Sequence, residues 1–344
     1  MKMARVFISG QENVGWSLDY DHAYISAACK EAGYALESAM YRSDIVHNIS
    51  WSGFNNIFAF WLRKKVLLTC SNFIEPDKSN YSLLDKWNKL KDRPITWLCP
   101  SSKQKKLLDR YGLKTALLPF FIDYGLFAGN IEETVTREEL LQEFAIPEDV
   151  VQARMLIGSF QRDSLGKDLN VQKWQKNPEM LVRMLSFLPR ERFLLLLAGP
   201  RRHYIRKRCR DLGIPHWFVG KETAGDDLAI NTLPVEAIAR LYRLVDVYAV
   251  TSASEGGPKA ILECAASRTL CLSTDVGLAL DYLDPSFVFS DENAYGRYLY
   301  GLVTGEVACP AAYVEKAFLG CRQKHAPPAQ AHALGKVYAD SLAL

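Results

Sequence analysis

The sequence holds no apolar run approaching the ~20 residues that a membrane-spanning helix requires. Its opening stretch, MKMARVFISGQE, is too briefly apolar for the core of a secretion signal. Neither a membrane span nor export is therefore expected, and the glycosylation patterns Asn48-Ile49-Ser50 and Asn80-Tyr81-Ser82 are read as chance. No two of the eight cysteines form a CxxC pair, so neither a zinc site nor a thioredoxin motif is indicated, and no metal is expected. Cys70, Cys264 and Cys271 lie in apolar patterns and read as buried free thiols, as in a reducing cytoplasm. An excess of one charge is also missing. Against 42 basic residues stand 39 acidic ones, and the net +3 is too small to imply nucleic acid as a bulk partner. No GxGxxG follows the first strand, which counts against NAD or FAD. The run Gly10-Gln11-Glu12-Asn13-Val14-Gly15-Trp16-Ser17 nearly spells the phosphate loop of ATPases. Trp16 stands where that loop needs its lysine, so ATP hydrolysis is excluded.

What is present is a long alternation of strand-like and helix-like segments. With 344 residues the chain is long enough for two cores. Arg5–Ser9, Asp44–Ile49, Lys65–Cys70, Ile95–Cys99 and Ala116–Pro119 read as buried parallel strands. A helix from Asp21 to Glu31 is closed by Gly33, and another is opened by Ser101-Ser102. After a loop-like stretch, Thr136-Arg137-Glu138-Glu139 forms a capping box. A second strand set follows: Met155–Ser159, Phe193–Ala198, His216–Val219, Val245–Thr251 and Leu270–Thr274. The expected class is α/β, two Rossmann-like doubly wound domains facing each other across a cleft. Their expected spans are 1–128 and 150–325, with a final helix within 329–344 packing back on the first domain. Pro327-Pro328 precedes that helix.

The tightest constellation is Ser252-Ala253-Ser254-Glu255-Gly256-Gly257-Pro258-Lys259-Ala260-Ile261-Leu262-Glu263, following the apolar strand. Gly256 and Gly257 permit close backbone approach, and Pro258 suits a first helical position. A strand, a glycine turn and a helix N-terminus make an anion site, because free N–H groups and the helix dipole point at the ligand. Read by geometry alone, the same string is equally an ordinary strand-to-helix turn with two solvated glutamates.

This segment, with Asp246 before it and Ser273-Thr274-Asp275-Val276-Gly277 after it, resembles the signature of the retaining glycosyltransferases of family four, the group 1 transferases, which have the GT-B fold. The resemblance implies transfer of a sugar from a nucleotide-sugar donor, which is a substrate, with no separate cofactor. It implies that Glu255 contacts the donor sugar and that Gly256, Gly257 and Pro258 cradle sugar and diphosphate. Glu263 would hold the ribose hydroxyls. Arg268-Thr269 departs from the family, which carries glycine and a small residue there. The family also places an arginine after the second domain's first strand and a lysine before the next helix, both on the diphosphate. Arg162 matches the first. Lys167 and Lys176 compete for the second, and Lys176 is preferred because it directly precedes the helix start Asn177-Pro178-Glu179. Such cations stabilise the charge that a departing diphosphate gains, without metal. Gly199 would border the nucleotide, whereas the run Arg201–Arg210 reads as a solvated helix face. By the same resemblance Gly15 and Trp16 would lie over the donor diphosphate and help form the acceptor site. Pro100-Ser101-Ser102 and Leu118-Pro119-Phe120-Phe121 resemble further landmarks, the latter with Phe120-Phe121 where the family has Asn-Gly. The histidine that the family presents after the strand Val66–Cys70 is missing, and His47, at the end of a buried strand, reads as structural.

Between Arg63 and Lys114 thirteen basic residues stand against five acidic ones, with Phe58, Phe60 and Trp61 just before them. Such a mixture in 58–114 suits peripheral contact with an anionic membrane or a lipid-diphosphate acceptor. The preferred reading is plainer: a helix that packs its aromatics into the core beneath a solvated rim. The resemblance implies a glycan or lipid-linked acceptor, a role in bacterial surface polysaccharide or lipopolysaccharide synthesis, and a cytoplasmic location at the inner face of the membrane. Retention is expected through same-face attack, a donor phosphate oxygen taking the acceptor proton. A non-catalytic carbohydrate-binding module of the same fold and a nucleotide-sugar epimerase or phosphorylase are the alternatives.

Overall fold

The structure, a computed structural model, describes residues 3–12, 17–77, 83–129, 135–166 and 168–343. The chain divides into two compact units: Met1–Asp123 with Glu255–Lys259 and Gln323–Leu344, and Tyr124–Ser254 with Ala260–Arg322.

The first unit is built on a six-stranded sheet. Its strands are β1 (Arg5–Ser9), β2 (Ala35–Leu36), β3 (Ile45–Asn48), β4 (Lys65–Thr69), β5 (Ile95–Cys99) and β6 (Thr115–Leu117), in the order β2-β1-β3-β4-β5-β6 and all parallel. Successive side chains of a strand point to opposite faces. Thus Val66 and Leu68 enter one core while Leu67 enters the other. A sheet covered on both faces explains why these strands read as unbroken apolar runs. The helix Ser17–Glu31 covers one face and ends in a left-handed Gly33 (φ 82°), whose neighbour Tyr34 N–H bonds back to the Cys29 carbonyl at 3.1 Å. The C-terminal helix Pro327–Leu342 packs on it, burying Leu334, Val337 and Tyr338 in the same core. Pro327 and Pro328 take the first two positions of that helix, where their missing N–H groups cost no bond.

The second unit repeats the plan. Its strands β7 (Met155–Ser159), β8 (Phe193–Ala198), β9 (His216–Val219), β10 (Val247–Val250), β11 (Leu270–Thr274) and β12 (Val288–Phe289) lie in the order β12-β11-β10-β7-β8-β9, again all parallel. All of Phe193–Ala198 is buried, its alternate residues divided between two cores. The helix Arg137–Glu143 starts on the Thr136 capping box, both reciprocal bonds being present.

One device recurs in both units. Asp44, just before β3, accepts the Arg5 N–H at 2.8 Å, and Asp246, just before β10, accepts the Leu156 N–H at 2.7 Å. Each carboxylate thus ties the amino end of one central strand to its neighbour. Arg137 also pairs with Asp246, at 3.0 Å.

Candidate functional site

In the second unit the chain lays down β7, β8 and β9 in one direction, returns, and lays down β10, β11 and β12 on the other side of β7. The reversal falls between β7 and β10. In open α/β sheets, ligands bind outside the carboxyl ends of the strands at such a switch point. The two loops that leave this point are Phe160–Ser164, which carries Arg162, and the run that begins at Thr251.

A third segment, Lys173–Asn177, ties these loops together, its Lys173 N–H donating to the Asp163 carbonyl at 2.6 Å. Ala253 N–H donates to the Gln175 carbonyl at 2.8 Å, and the Thr251 hydroxyl donates to the carbonyls of Lys176 and Asn177 at 3.4 and 3.3 Å. Ser252 Oγ reaches Gln161 Oε1 at 3.4 Å, and Thr274, at the end of β11, donates to the Ser252 carbonyl at 2.6 Å. Arg162 and Lys176 therefore belong to loops bonded to one shared strand end. Asn177 takes a left-handed conformation (φ 45°), Pro178 opens the next helix, and Lys176 sits immediately before this turn. Lys167 lies outside the described residues.

The loop around Arg162 is held from beneath. Arg202 is fully buried, forms an ion pair with Asp163 at 2.7 Å, donates to Ser159 Oγ at 3.0 Å, and donates to the Gln161 carbonyl. Asp163 Oδ1 accepts from Ser164 Oγ and from the Ile205 N–H, so the loop and the helix His203–Leu212 share one anchor. Burial pushes the Asp163 carboxyl up, against the pull of Arg202. The expectation of a solvated Arg201–Arg210 face is corrected here. Arg202 and Arg206 are buried, and Arg208 pairs with Glu179 at 2.8 Å. Charge spacing shows a polar face but not the acid that covers it. Gly199, directly after β8, is left-handed (φ 85°), and a Cβ there would stand 3.2 Å from the Phe160 carbonyl oxygen.

Glu263, on the helix Lys259–Ala266, accepts from the Tyr242 hydroxyl at 2.9 Å. Burial and this carboxylate push the Tyr242 phenol well up. Arg268 occupies the left-handed backbone (φ 55°) that glycine favours. Its guanidinium pairs with Glu315 at 2.8 Å and lies 3.4 Å over the Phe318 ring, interactions that a glycine would lack.

Glu255–Lys259 group with the first unit. Gly256 and Pro258 are buried with Gly257, and a Cβ on Gly256 would stand 2.9 Å from the Cys70 carbonyl oxygen. Lys259 bonds the nearly buried Asp21, whose carboxyl is pushed up by burial against the pull of that ammonium. Glu255 is half-buried. Gly15 and Trp16 lie outside the described residues. His47 is buried, with Nδ1 2.8 Å from the Tyr338 hydroxyl and Nε2 2.9 Å from Thr69 Oγ1, so both nitrogens are used within the core. Among the described residues no cluster of acids, histidines and cysteines can hold a metal ion.

The structure resembles solved glycosyltransferases along almost its whole length. Anabaena HepE, solved with UDP-glucose, superposes with a TM-score of 0.73 at 13% identity, covering 98% of this chain and 100% of that one. Thermosynechococcus elongatus sucrose-phosphate synthase gives 0.69 at 14% identity, covering 99% and 100%. WaaG, a glycosyltransferase involved in lipopolysaccharide biosynthesis, gives 0.63 at 14% identity, covering 98% of both chains.

The fold is GT-B.

By sequence, no family model matches the chain, and no curated protein matches it. The likeness is therefore one of architecture. The sequence missed the residues that hold the candidate site: Thr251, Gln175, Asp163 and Arg202. A signal for the last pair was present in the repeated arginines after Gly199, but nothing in their spacing set Arg202 apart from the other arginines.

Proposed function

We propose that this chain is a retaining glycosyltransferase that moves a sugar from a nucleoside-diphosphate sugar to a glycan or lipid-linked acceptor. The supporting observation is the switch point in the second unit. Its two flanking strands lead into Arg162 and into the run that begins at Thr251, and both loops are bonded to the segment Lys173–Asn177. In this reading Arg162 and Lys176 neutralise the departing diphosphate, where fixed cations act on charge that develops in the transition state. Gly256, Gly257 and Pro258 offer backbone to the sugar diphosphate ahead of the helix Lys259–Ala266. Glu255 orients the sugar hydroxyls, Glu263 the ribose hydroxyls, and Gly199 leaves room beside the nucleotide. Gly15 and Trp16 complete the diphosphate and acceptor side.

Attack on the face that the leaving group departs from needs no protein base, because a donor phosphate oxygen takes the acceptor proton. No step requires a metal or a separate cofactor. Likeness to WaaG supports a place in the assembly of surface polysaccharide or lipopolysaccharide. It would work in the cytoplasm at the inner face of the membrane, with contact through 58–114. No described helix is long and apolar enough to cross a membrane.

The test is sugar transfer by Glu255→Ala and Arg162→Ala. Loss of a donor that acts on transition-state charge costs about 10²–10³ in turnover, and a drop of that order is expected for Arg162→Ala, with a comparable loss for Glu255→Ala. Unchanged turnover in both variants rejects the assignment. Donor binding without any turnover in the native protein identifies a binding module instead.

A further inference from the structure

The carboxyl ends of the first unit's strands point one way, and its densest positive charge lies at the other end. Lys65 opens β4, Arg93 stands two residues before β5, and Lys114 directly precedes β6. These residues, with Arg63 and Lys91, line an open cavity of about 560 Å³ at the amino edge of the sheet. Five-residue strands such as β4 and β5 span roughly 17 Å, so this cavity is well separated from the loops at the carboxyl edge.

The cavity is short of counter-charge. Asp92 is its one lining carboxylate, and Asp340 acts on Lys114 from nearby. Among the described residues, none of Arg63, Lys65, Lys91, Arg93 and Lys114 makes an ion pair within 4.0 Å. Lys64, by contrast, is used structurally, donating to the carbonyls of Tyr41 and Ser43. Like charges gathered with few acids repel one another; burial and the neighbouring Lys65 both push the Lys114 ammonium down, with Asp340 opposing.

Beside the cavity lies the short helix Phe58–Trp61. Phe60 lines the cavity and sits under the Arg93 guanidinium, 5.7 Å from it. Its neighbours do the opposite of what the sequence led us to expect. Trp61 is 83% exposed, Phe58 60% and Ile57 52%, so the aromatics do not all pack beneath a solvated rim. An exposed aromatic wedge next to unpaired cations matches a surface that is anionic above and apolar below.

We propose that this cavity binds the phosphate headgroup of an anionic phospholipid, with Ile57, Phe58 and Trp61 entering the bilayer interface beside it. The complementarity is of charge and depth together: cations meet phosphate, and rings meet the headgroup–acyl boundary. The inference rests on the membrane contact through 58–114 proposed above and not on the transfer chemistry, so its failure leaves the sugar-transfer test untouched.

Full-length protein is sedimented with vesicles of phosphatidylcholine alone and of phosphatidylcholine with phosphatidylglycerol. Selective, salt-sensitive binding to the anionic vesicles is expected. Each basic residue near such a surface contributes enough that Lys91→Glu/Arg93→Glu/Lys114→Glu lowers the affinity about a hundredfold or more. The control Lys30→Glu/Lys207→Glu/Lys316→Glu makes the same net charge change on other surfaces and should bind nearly as the native protein does. Phe58→Ser/Trp61→Ser should also release the protein, and circular dichroism of each variant confirms that it is folded. Equal binding to both vesicle types, or equal weakening by the two charge reversals, overturns the proposal. Calorimetry with inorganic pyrophosphate separates the sources: saturable binding that Lys91, Arg93 and Lys114 support, without vesicle binding, makes the cavity a site for a soluble phosphate and overturns the lipid assignment.

Discussion

At the scale of the residue, His47 shows how burial sets chemistry. Both ring nitrogens are engaged within the core, and burial holds the imidazole's pKa down to about 3; His325 is held down to about 4, also by burial. An unfolded histidine titrates at about pH 6.5. As pH falls below that value the unfolded chain takes up protons that the native protein refuses. Stability is therefore full above about pH 6.5 and declines as the solution is acidified, by ~1.4 kcal/mol per pH unit for each such histidine until its native pKa is reached. Urea denaturation of the native protein and His47→Gln at a series of pH values checks this. The variant should lose about one proton's worth of slope between about pH 6.5 and about pH 5. An identical slope in both proteins contradicts a neutral buried His47.

At the scale of the element, the anchor beneath the Arg162 loop gives the sharpest prediction. Arg202→Met strands the buried Asp163 carboxylate, and removing one partner of a buried ion pair costs about 3–5 kcal/mol. Adding Asp163→Asn removes the stranded charge but keeps an oxygen for Ser164 and Ile205, so the double variant should recover part of the loss. Denaturant midpoints measure both; a single variant within about 1 kcal/mol of the native protein denies that the pair holds the loop. The same scale shows what a sequence can reveal. Met155–Ser159, Phe193–Ala198, His216–Val219 and Leu270–Thr274 are strands within the bounds that their apolar runs indicate, because a strand covered on both faces must be apolar throughout. The two-residue edge strands Ala35–Leu36 and Val288–Phe289 carry too few residues to show a pattern. The loop bonds of Gln175 and Thr251 were illegible for another reason: they are made by backbone carbonyls, which every residue has.

At the scale of the whole molecule, two parallel six-stranded sheets follow from a chain that alternates strand and helix twice over. The sequence pattern alone predicted this α/β class. The resemblance, with its glycines, proline and paired glutamates, pointed to GT-B, which the superpositions bear out in architecture. Thermal denaturation with a panel of nucleoside-diphosphate sugars tests the central claim most directly. A ligand that binds only the native state at a hundred times its dissociation constant adds about 2.7 kcal/mol, so one member of the panel should raise the midpoint clearly, and Arg162→Ala with Lys176→Ala should abolish that rise. No shift with any member, or a shift that the double variant retains in full, contradicts the account.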